Sequence, residues 1–349
     1  MGGRTVDLEF ESRGGSPIVT ELQERLTNIV RSFSQQKLVI IGDAIADKFL
    51  YGSISRVSRE APVFILRHEQ TETVPGGAAN CAVNLASLGA NVSLVSVVGN
   101  DQAGAELRER LKRAGVDTNG LLASDKLQTT TKLRILAGQA HSSRQQVIRI
   151  DYEDAPFSDP EVRSAVVEEL KRRSAKADGV IVSDYNYGVV DEAAVEVLRK
   201  LSAPVLVDSR FRLKSFTGFT AATPNEDEVE NLFGHPISSD QQLTIDAADL
   251  KARLGYQALL VTRGGNGMLL LEGDAEPLHI SAVGAQQPVD VTGAGDTVIA
   301  TFALSLSSGA SFSDAARLAN YAGGLVVMKR GTASITAEEL GHSIVNSEV

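Results

Sequence analysis

The sequence predicts an α/β protein built around a mainly parallel β-sheet, with helices on both faces. Short apolar segments that fit strands alternate along the chain with longer segments that fit helices. The run Lys37-Leu-Val-Ile-Ile-Gly42 is almost wholly apolar, which is typical of a central strand buried on both faces. Strands and helices that alternate in this way indicate crossover connections between parallel strands.

The chain begins with a polar, Gly-rich segment over residues 1–17. Apolar residues then recur at helical spacing between Thr20 and Gln36. Thr20 and Glu24 do not have the spacing of a capping box, so the sequence places the start of this helix only loosely. We therefore predict an N-terminal arm and helix over residues 1–36, followed by a main domain over residues 37–340.

Two segments of the main domain differ from the rest. Residues 49–73 and 128–151 contain short β-like pieces with many charges and no long helix. We expect these pieces to pair into a small sheet that lies on one edge of the main body as a lid.

The remaining segments continue the alternation of strands and helices. The predicted strands are 92–98, 179–184, 204–208, 258–262 and 268–271, and the predicted helices are 103–114, 191–201 and 293–308. Open parallel sheets bind their ligands beyond the carboxyl ends of the strands. The side chains at those ends are Asp43, Asp184, Asp208 and Thr262.

Composition restricts the function classes. Of the 349 residues 43% are hydrophobic and 22% are charged, as in an ordinary globular protein. The net charge of −10 argues against a general nucleic-acid surface, although a small anionic substrate stays open. The single cysteine, Cys81, excludes an internal disulfide framework and fits a reducing compartment. No apolar run approaches the ~20 residues needed to cross a bilayer, and no secretory signal is visible, so we expect a cytoplasmic protein without membrane insertion.

A glycine-rich turn, Asp-Val-Thr-Gly-Ala-Gly-Asp-Thr over residues 290–297, opens directly into an apolar helical segment. The first backbone N–H groups of a helix lack intrahelical partners and lie at the positive end of its dipole, so Gly293, Ala294 and Gly295 form a candidate anion site. Asp296 in the same turn is a candidate general base for a substrate hydroxyl. The alternative is that Asp296 only caps the helix. The turn lacks the Gly-Lys-Ser/Thr of a Walker loop and the third glycine of a dinucleotide fingerprint.

Two other segments suit the hydroxyl groups of a sugar. Gly76, Gly77 and Asn80 present backbone and amide groups at a second predicted helix start, unless the glycines only allow tight packing. Asp43 and Asp47 can both accept hydrogen bonds from vicinal hydroxyls if they face one crevice. Otherwise, Asp47 is a solvated loop residue.

The segment Ala222-Thr-Pro-Asn-Glu-Asp-Glu-Val229 offers a candidate magnesium site. Asn225 and Glu228 follow a predicted strand and begin a helix, where they can orient waters around Mg²⁺. The alternative is an acidic first helical turn that the helix dipole favours.

Together and in this order, the four segments resemble those of the ribokinase-like carbohydrate kinases, the PfkB family, over roughly residues 37–340. The resemblance implies a ribokinase-like three-layer αβα sandwich with a small β-sheet lid, and an ATP- and Mg²⁺-dependent sugar kinase. It implies that Asp296 is the catalytic base, that Gly293, Ala294 and Gly295 form the anion hole, and that Asn225 and Glu228 act on Mg²⁺ through water. The candidate substrate-binding residues are Asp43, Asp47, Gly76, Gly77, Asn80, Arg134 and Asp184. The candidate ATP-binding residues are Asn225, Glu228, Thr262, Gly264, Gly267 and Asn320.

Within that family the likeness is greatest to the heptose 7-phosphate kinases of lipopolysaccharide-precursor synthesis, some of which are fused to an adenylyltransferase. The segments that carry it are 51–63, 75–80, 131–134, 182–185 and 290–297. This likeness implies transfer of the ATP γ-phosphate to O1 of D-glycero-D-manno-heptose 7-phosphate, and we expect no transferase region in this chain.

The chain departs from those heptose kinases at the rim of the crevice. They usually carry Lys-Gly after Ser-Asp-Tyr, and Asp-Pro-Lys further on, where this chain has Tyr187-Gly188 and Asp208-Ser209-Arg210. The candidates to hold a substrate phosphate are Arg134, Arg149, Arg210, Arg212 and Lys214, since arginine suits bidentate contacts. For Arg134 and Arg149 the alternative is a solvated lid face.

Three other functions stay open. The first is a kinase for another acceptor, such as a fructose phosphate, ribose, ketodeoxygluconate or a nucleoside. The second is a non-catalytic regulator that binds a sugar or nucleotide. The third is a nicotinamide-dependent dehydrogenase, although no Gly-x-Gly-x-x-Gly follows the first strand. The resemblance also implies a homodimer formed through the lid, and K⁺ is a candidate cofactor because Asp290 matches a position where some relatives hold potassium.

Overall fold

The computed structural model describes residues 20–138, 144–284 and 288–347, so the predicted arm over residues 1–17 lies outside the described residues. The helices of this part are α1 (Glu21–Arg31), α2 (Ala78–Ser87), α3 (Gln102–Arg113), α4 (Pro160–Ser174), α5 (Glu192–Leu198), α6 (Glu226–Phe233), α7 (Asp240–Leu254), α8 (Ala294–Ser307), α9 (Phe312–Val326) and α10 (Ala337–Asn346). Short 3₁₀ turns cover Phe33–Gln35, Leu213–Ser215 and Gly264–Asn266.

The strands of the described residues belong to two sheets. They are β1 (Lys37–Gly42), β2 (Ala44–Val57), β3 (Phe64–Gly77), β4 (Asn91–Gly99), β5 (Leu121–Ser124), β6 (Thr131–Gly138), β7 (Gln145–Tyr152), β8 (Gly179–Asp184), β9 (Val205–Ser209), β10 (Ala221–Ala222), β11 (Ala258–Thr262), β12 (Met268–Glu272) and β13 (Leu278–Ile280).

The main sheet has the order β13-β12-β11-β10-β9-β8-β1-β4-β5. Its strands pair in parallel from β5 to β11, which confirms the predicted mainly parallel sheet. At the other end of the sheet, β12 pairs antiparallel with β11, and β13 pairs antiparallel with β12. The link from β11 to β12 holds only one 3₁₀ turn, which is too short for the crossover that a parallel pair requires.

Helices cover both faces of this sheet. In β1, Leu38 and Ile40 face a core shared with α1, α2, α3, α8, α9 and α10, whereas Val39 and Ile41 face a core shared with α4, α5, α6 and α7. Successive strand residues point to opposite faces, so an unbroken apolar strand can serve two cores. The result is the predicted three-layer αβα sandwich.

The second sheet, which we call the small sheet, has the order β3-β2-β6-β7. The short β-like pieces expected within 49–73 belong to two long strands, because β2 and β3 are both 14 residues long and pair antiparallel over most of their length. Their paired ends at Ala44 and Gly77 reach into the main body. Residues at the base of the small sheet therefore lie next to the carboxyl ends of the main strands.

The start of the helix α1 is better defined than the sequence predicted. Thr20 caps it, and the side chain of Gln23 bonds back to the Thr20 backbone, which together make a capping box. Glu24 was the wrong partner to test, since the motif requires the residue three positions after the cap. In the part of the chain that the structure describes, no helix combines the length and apolar character needed to cross a membrane.

Candidate active site

Asp296 lies at the start of α8, with its side chain 6% exposed. Its Oδ2 accepts a hydrogen bond from Nδ2 of Asn80 at 2.6 Å, and its Oδ1 lies 3.5 Å from the hydroxyl of Tyr185. Among the described residues no side chain caps α8, so the carboxylate does not serve as the helix cap. The contacts of Asp296 therefore do not support the alternative that it only caps the helix.

The environment of Asp296 suits proton transfer near neutral pH. Burial raises the pKa of its carboxyl to about 7, and the nearby negative charge of Asp47 acts in the same direction. The hydrogen bonds from Asn80 and Tyr185 oppose this shift because they favour the ionised form. A carboxyl with a pKa close to the working pH is well matched to general base catalysis.

The turn before Asp296 leaves space for an anion. Gly293 has φ +78°, and a Cβ there would lie 2.6 Å from Nδ2 of Asn80, so a larger residue would disturb the contact between Asn80 and Asp296. A Cβ on the exposed Gly295 would meet no described atom within 4 Å. The backbone N–H group of Gly295 in this first turn therefore lies beside open space, where a phosphoryl group can approach. The N–H group of Ala294 instead donates to the carbonyl of Val291 at 3.2 Å, so the structure does not support it as part of the predicted anion site.

The predicted sugar side gathers at the base of the small sheet. Asp47 is 7% exposed and forms an ion pair with Arg134 of β6. A Cβ on Gly76 would overlap Oδ2 of Asp47, and Gly77 has φ +56°, so both glycines are needed for this geometry. Arg134 was predicted as a candidate phosphate ligand, but its guanidinium is paired with Asp47.

Asp43 differs from the prediction, because its carboxylate binds the backbone instead of facing the crevice. Oδ2 accepts hydrogen bonds from the N–H groups of Tyr185 and Tyr187, and Oδ1 accepts one from Val189. The loop that it holds includes Asn186 with φ +67°, an uncommon conformation for a residue other than glycine. Asp43 thereby fixes the loop that carries Tyr185 toward Asp296.

Asp184 is also not placed for a sugar contact. It is 1% exposed, and its Oδ2 accepts hydrogen bonds from Oγ of Ser209 at 2.7 Å and Nε of Arg212 at 3.3 Å. Arg212 also donates to the backbone of Val190. This buried cluster joins the ends of β8 and β9, and it removes Arg212 from the candidates to hold a substrate phosphate.

Lys132 and Arg210 are two cations near Tyr185. The ammonium of Lys132 on β6 lies 5.6 Å from the centroid of the Tyr185 ring. Burial lowers the pKa of Lys132, and the positive charges of Arg210 and Arg149 add to this effect while Asp47 opposes it. Sequence analysis included Lys132 only within a longer segment. Lys132 lies opposite Asp47 in the register of β2 and β6, and the sequence alone does not reveal that register.

Four of the six predicted ATP residues meet in one cavity of about 200 Å³ at the end of β11, whereas Asn225 and Glu228 do not line it. Thr262, Gly264, Gly267 and Asn320 all line it, together with Ala294 and Gly295 of the anion-site turn. The rest of the lining is mostly apolar and comes largely from residues that the sequence analysis missed: Met268, Ala282, Val283, Pro288, Val291, Val298, Gly323, Gly324 and Val327. A cavity with apolar walls suits a nucleobase, and its end at Gly295 places phosphates near Asp296.

Asn225 and Glu228 form a capping box at the start of α6. Oδ1 of Asn225 accepts from the N–H of Glu228 at 2.8 Å, and Oε2 of Glu228 accepts from the N–H of Asn225 at 3.0 Å. Asn225 also bridges Thr262 at the nucleotide cavity. The alternative of an ordinary helix start is therefore realised, at a position next to Thr262, which lines the cavity.

The surroundings of Glu228 fit a divalent cation held through water. Burial raises the pKa of Asp208 well above its usual value, and the negative charges of Asp296, Glu228 and Asp184 add to this rise while Arg210 opposes it. A divalent cation would relieve this crowding of carboxylates. No three carboxylate, histidine or cysteine side chains of the described residues lie close enough together to bind a metal ion directly.

Comparisons with known proteins identify the family. The model of the pfkB family of carbohydrate kinases matches residues 35–339. The chain is 41% identical over 322 residues to Bifunctional protein HldE of Pseudomonas syringae pv. syringae (strain B728a), a match that covers 90% of this chain and 65% of that protein. It is 38% identical over 323 residues to Bifunctional protein HldE of Gluconobacter oxydans (strain 621H), covering 91% of this chain and 66% of the relative. The chain thus spans about two thirds of the length of these relatives.

Solved structures share the fold. Arabidopsis thaliana ribokinase complexed with ribose and ATP matches with a TM-score of 0.69 at 22% identity, covering 90% of this chain and 99% of that one. Escherichia coli phosphofructokinase-2 in complex with substrates and products matches with a TM-score of 0.73 at 17% identity, covering 88% and 98%. Membership of a kinase family implies ATP and Mg²⁺ as the co-substrate and metal. The chain belongs to the pfkB family of carbohydrate kinases, and it is a sugar kinase with the ribokinase-like fold.

Proposed function

We propose that this sugar kinase transfers the γ-phosphate of ATP to O1 of D-glycero-D-manno-heptose 7-phosphate, with Asp296 as the catalytic base. The observation that carries the proposal is the position of Asp296, buried between the sugar side at Asp47 and the nucleotide cavity that ends at Gly295. The choice of acceptor rests on the likeness of segments 51–63, 75–80 and 182–185 to heptose 7-phosphate kinases. The identity with two bifunctional HldE proteins supports it.

The reaction follows from the arrangement of the chain's own groups. Asp296 takes the proton of the acceptor hydroxyl as the oxygen attacks the γ-phosphorus, and the bond from that phosphorus to the β-phosphate oxygen breaks to release ADP. The N–H group of Gly295 stabilises negative charge on the moving phosphoryl group. When bound near Asn225 and Glu228, Mg²⁺ supplies further neutralisation of the phosphate charge.

Lys132 and Arg210 support an acceptor that carries its own phosphate. Lys132 is half-buried at the base of the small sheet, and burial, together with the positive charges of Arg210 and Arg149, lowers its pKa. Arg210 is exposed at the rim of the main sheet and lies near enough to add to this effect. A phosphate between them would neutralise both charges, which a neutral sugar cannot do.

An acceptor screen tests this function. We would measure ADP formation with the heptose 7-phosphate, the same heptose without phosphate, fructose 6-phosphate and ribose. The proposal predicts the highest kcat/KM for the heptose 7-phosphate. A higher value for another acceptor would give that sugar as the substrate, and tight ligand binding without turnover on any acceptor would favour a regulator.

A lysine variant tests the phosphate contact separately. Lys132→Met should raise the KM for the heptose 7-phosphate by about tenfold or more, since charge-assisted hydrogen bonds contribute about 1.5–3 kcal/mol. Its effect on the KM for ATP should stay small. The matched control is Lys126→Met, which removes a surface lysine that is paired with Asp159 and Glu161. Equal kinetics in the two variants would exclude Lys132 as a phosphate ligand.

Three further properties belong to the same proposal. Ile148, Ile150 and Tyr152 alternate along the exposed strand β7, so we propose that two copies of the small sheet pair in a homodimer, which light scattering can measure. K⁺ is a proposed activator near Asp290, whose carboxylate accepts hydrogen bonds from the backbone of Thr292 and Gly331. E. coli phosphofructokinase-2 has been solved in complex with potassium. We also propose a cytoplasmic site of action, where ATP is available.

A further inference from the structure

Four buried polar side chains form a continuous hydrogen-bonded chain from α2 to the start of α8. Oγ1 of Thr297 donates to Oδ1 of Asn84 at 2.8 Å, and Nδ2 of Asn84 donates to Oδ1 of Asn80 at 3.2 Å. Nδ2 of Asn80 then donates to Oδ2 of Asp296 at 2.6 Å. The exposed fractions are 0% for Thr297, 1% for Asn84, 3% for Asn80 and 6% for Asp296, so water competes little for these bonds.

The direction of donation along this series of hydrogen bonds is set by the backbone carbonyl of Asn80, which can only accept. Nδ2 of Asn84 also donates at 3.0 Å to the backbone carbonyl of Asn80, and a carbonyl can only accept. If the Asn84 amide were flipped, its oxygen would face that carbonyl and its nitrogen would face Thr297. With Asn84 in this orientation, the amide oxygen of Asn80 is occupied and its NH₂ group is directed at Asp296.

This orientation matters because the amide of Asn80 can present either end to a carboxylate. An N–H group directed at Asp296 favours the ionised, proton-accepting form, whereas an amide oxygen at the same place would repel it. Gly293 lies against the same amide, since a Cβ on it would meet Nδ2 of Asn80 at 2.6 Å. The contact is thus confined by α8 on one side and by Asn84 on the other.

We propose that Asn84 and Thr297 are positioning residues for phosphoryl transfer, which act by holding the NH₂ group of Asn80 on the carboxylate of Asp296. This assignment rests on the proposed function, because it requires Asp296 as the base. It also changes the expected role of Asn80 from a sugar ligand to the residue that orients the base.

Other groups that face Asp296 must stay unchanged in any test of its ionisation. The charged or titratable side chains that act on it from neighbouring elements are Asp47 of β2, Cys81 of α2, Tyr185 after β8 and Asp208 of β9. Variants at Asn84 and Thr297 leave all four in place.

A matched pair of threonine variants provides the test. Thr297→Val removes the hydroxyl that holds Asn84, together with its longer contact of 3.3 Å with the carbonyl of Gly293, while keeping the shape of the side chain. Asn84→Leu leaves the Gly293 contact in place and so separates the two. Thr301→Val is the control, since Thr301 lies one turn further along α8, is also 0% exposed, and donates to the backbone of Thr297 rather than to the chain of amides. The measurements are kcat, the KM of each substrate and the pH dependence of kcat, with thermal unfolding to compare stability.

Thr297→Val should move the acid limb of the kcat profile upward by about half a pH unit or more, which lowers kcat at neutral pH by about twofold or more, with the KM for ATP unchanged within about twofold. Thr301→Val should match the wild type in all three. Asn84→Leu should give the same upward shift as Thr297→Val. Combining Thr297→Val with Asn84→Leu should add little, because both remove one chain of bonds.

The outcomes separate this inference from the proposed function. If Asp296→Asn is inactive but Thr297→Val and Thr301→Val share the wild-type pH profile, the positioning role is wrong and the base assignment stands. If Asp296→Asn turns over normally, the proposed function fails and this role fails with it. If Asn84→Leu does not fold, the near-isosteric Thr297→Val decides the question alone.

Discussion

The rate of phosphoryl transfer should fall in acid along the titration of Asp296. A general base must be ionised to accept a proton, and burial raises the pKa of this carboxyl to about 7. At one pH unit below that value only about one tenth of the enzyme carries the ionised base, so kcat should drop about tenfold per unit below pH ~6. An aspartate with the usual pKa of about 3.9 would keep the rate flat down to about pH 5.

The assay is direct chromatographic measurement of ADP between about pH 5 and pH 9. Both kcat and kcat/KM are needed, because a substrate phosphate titrates near pH ~6 and affects kcat/KM as well. Asp47→Asn should move the acid limb of kcat to lower pH, since it removes a like charge that raises the pKa of Asp296. Asp249→Asn, at a surface ion pair with Arg253, should leave the limb in place.

A flat kcat profile down to pH 5 would refute the reasoning. So would an acid limb that Asp47→Asn leaves unchanged or moves to higher pH. Either result would mean that burial and the charge of Asp47 do not control the group that limits turnover.

Two glycine substitutions test the two sides of the site. Gly76→Ala should raise the KM for the sugar about tenfold or more and leave the KM for ATP unchanged. The reason is that the added Cβ overlaps the carboxylate of Asp47, and overpacking costs about 1–3 kcal/mol. Equal sugar kinetics in the variant and the wild type would contradict this prediction. Gly324→Ala should weaken ATP binding measured by calorimetry, because its Cβ overlaps the carbonyl of Val283 at the nucleotide cavity. Gly341→Ala, also within a helix but with open space around its Cβ, is the control, and equal ATP affinities in the two variants would refute that account.

Local sequence patterns predicted the helices and strands well where neighbouring residues determine them. The strand over 179–184 coincides with β8, and the apolar helix after the glycine turn is α8, one residue shorter at each end than predicted. The capping box of Asn225 and Glu228 was equally readable, because its spacing of three residues is contained in the sequence.

Side-chain roles that depend on distant partners were not predictable in this way. Asp43 and Asp47 are four residues apart and have the same chemistry, so the roles of the two carboxylates could not be distinguished from the sequence. The backbone groups that occupy Asp43 lie 142 to 146 residues further along the chain, and Asp47 pairs with an arginine 87 residues away. Only the pairing of β1 with β8 and of β2 with β6 decides which carboxylate faces the crevice.

Packing contacts at the nucleotide cavity were likewise not predictable from the sequence. Gly324 lies in the last turn of α9, where a glycine predicts only a local weakness in the helix. Its function depends on the loop at Val283, whose carbonyl occupies the space where a side chain would be. That contact joins elements 41 positions apart and leaves no periodic signal in the sequence.

The most direct test of the account is the turnover of Asp296→Asn. The substitution keeps the size of the side chain and removes its ability to accept a proton as a carboxylate. We predict a fall in kcat of ~10²–10⁴ with the Kd for ATP unchanged within about twofold, because general base assistance has that magnitude and the nucleotide cavity does not depend on the charge. Turnover close to that of the wild type would show that Asp296 is not the base.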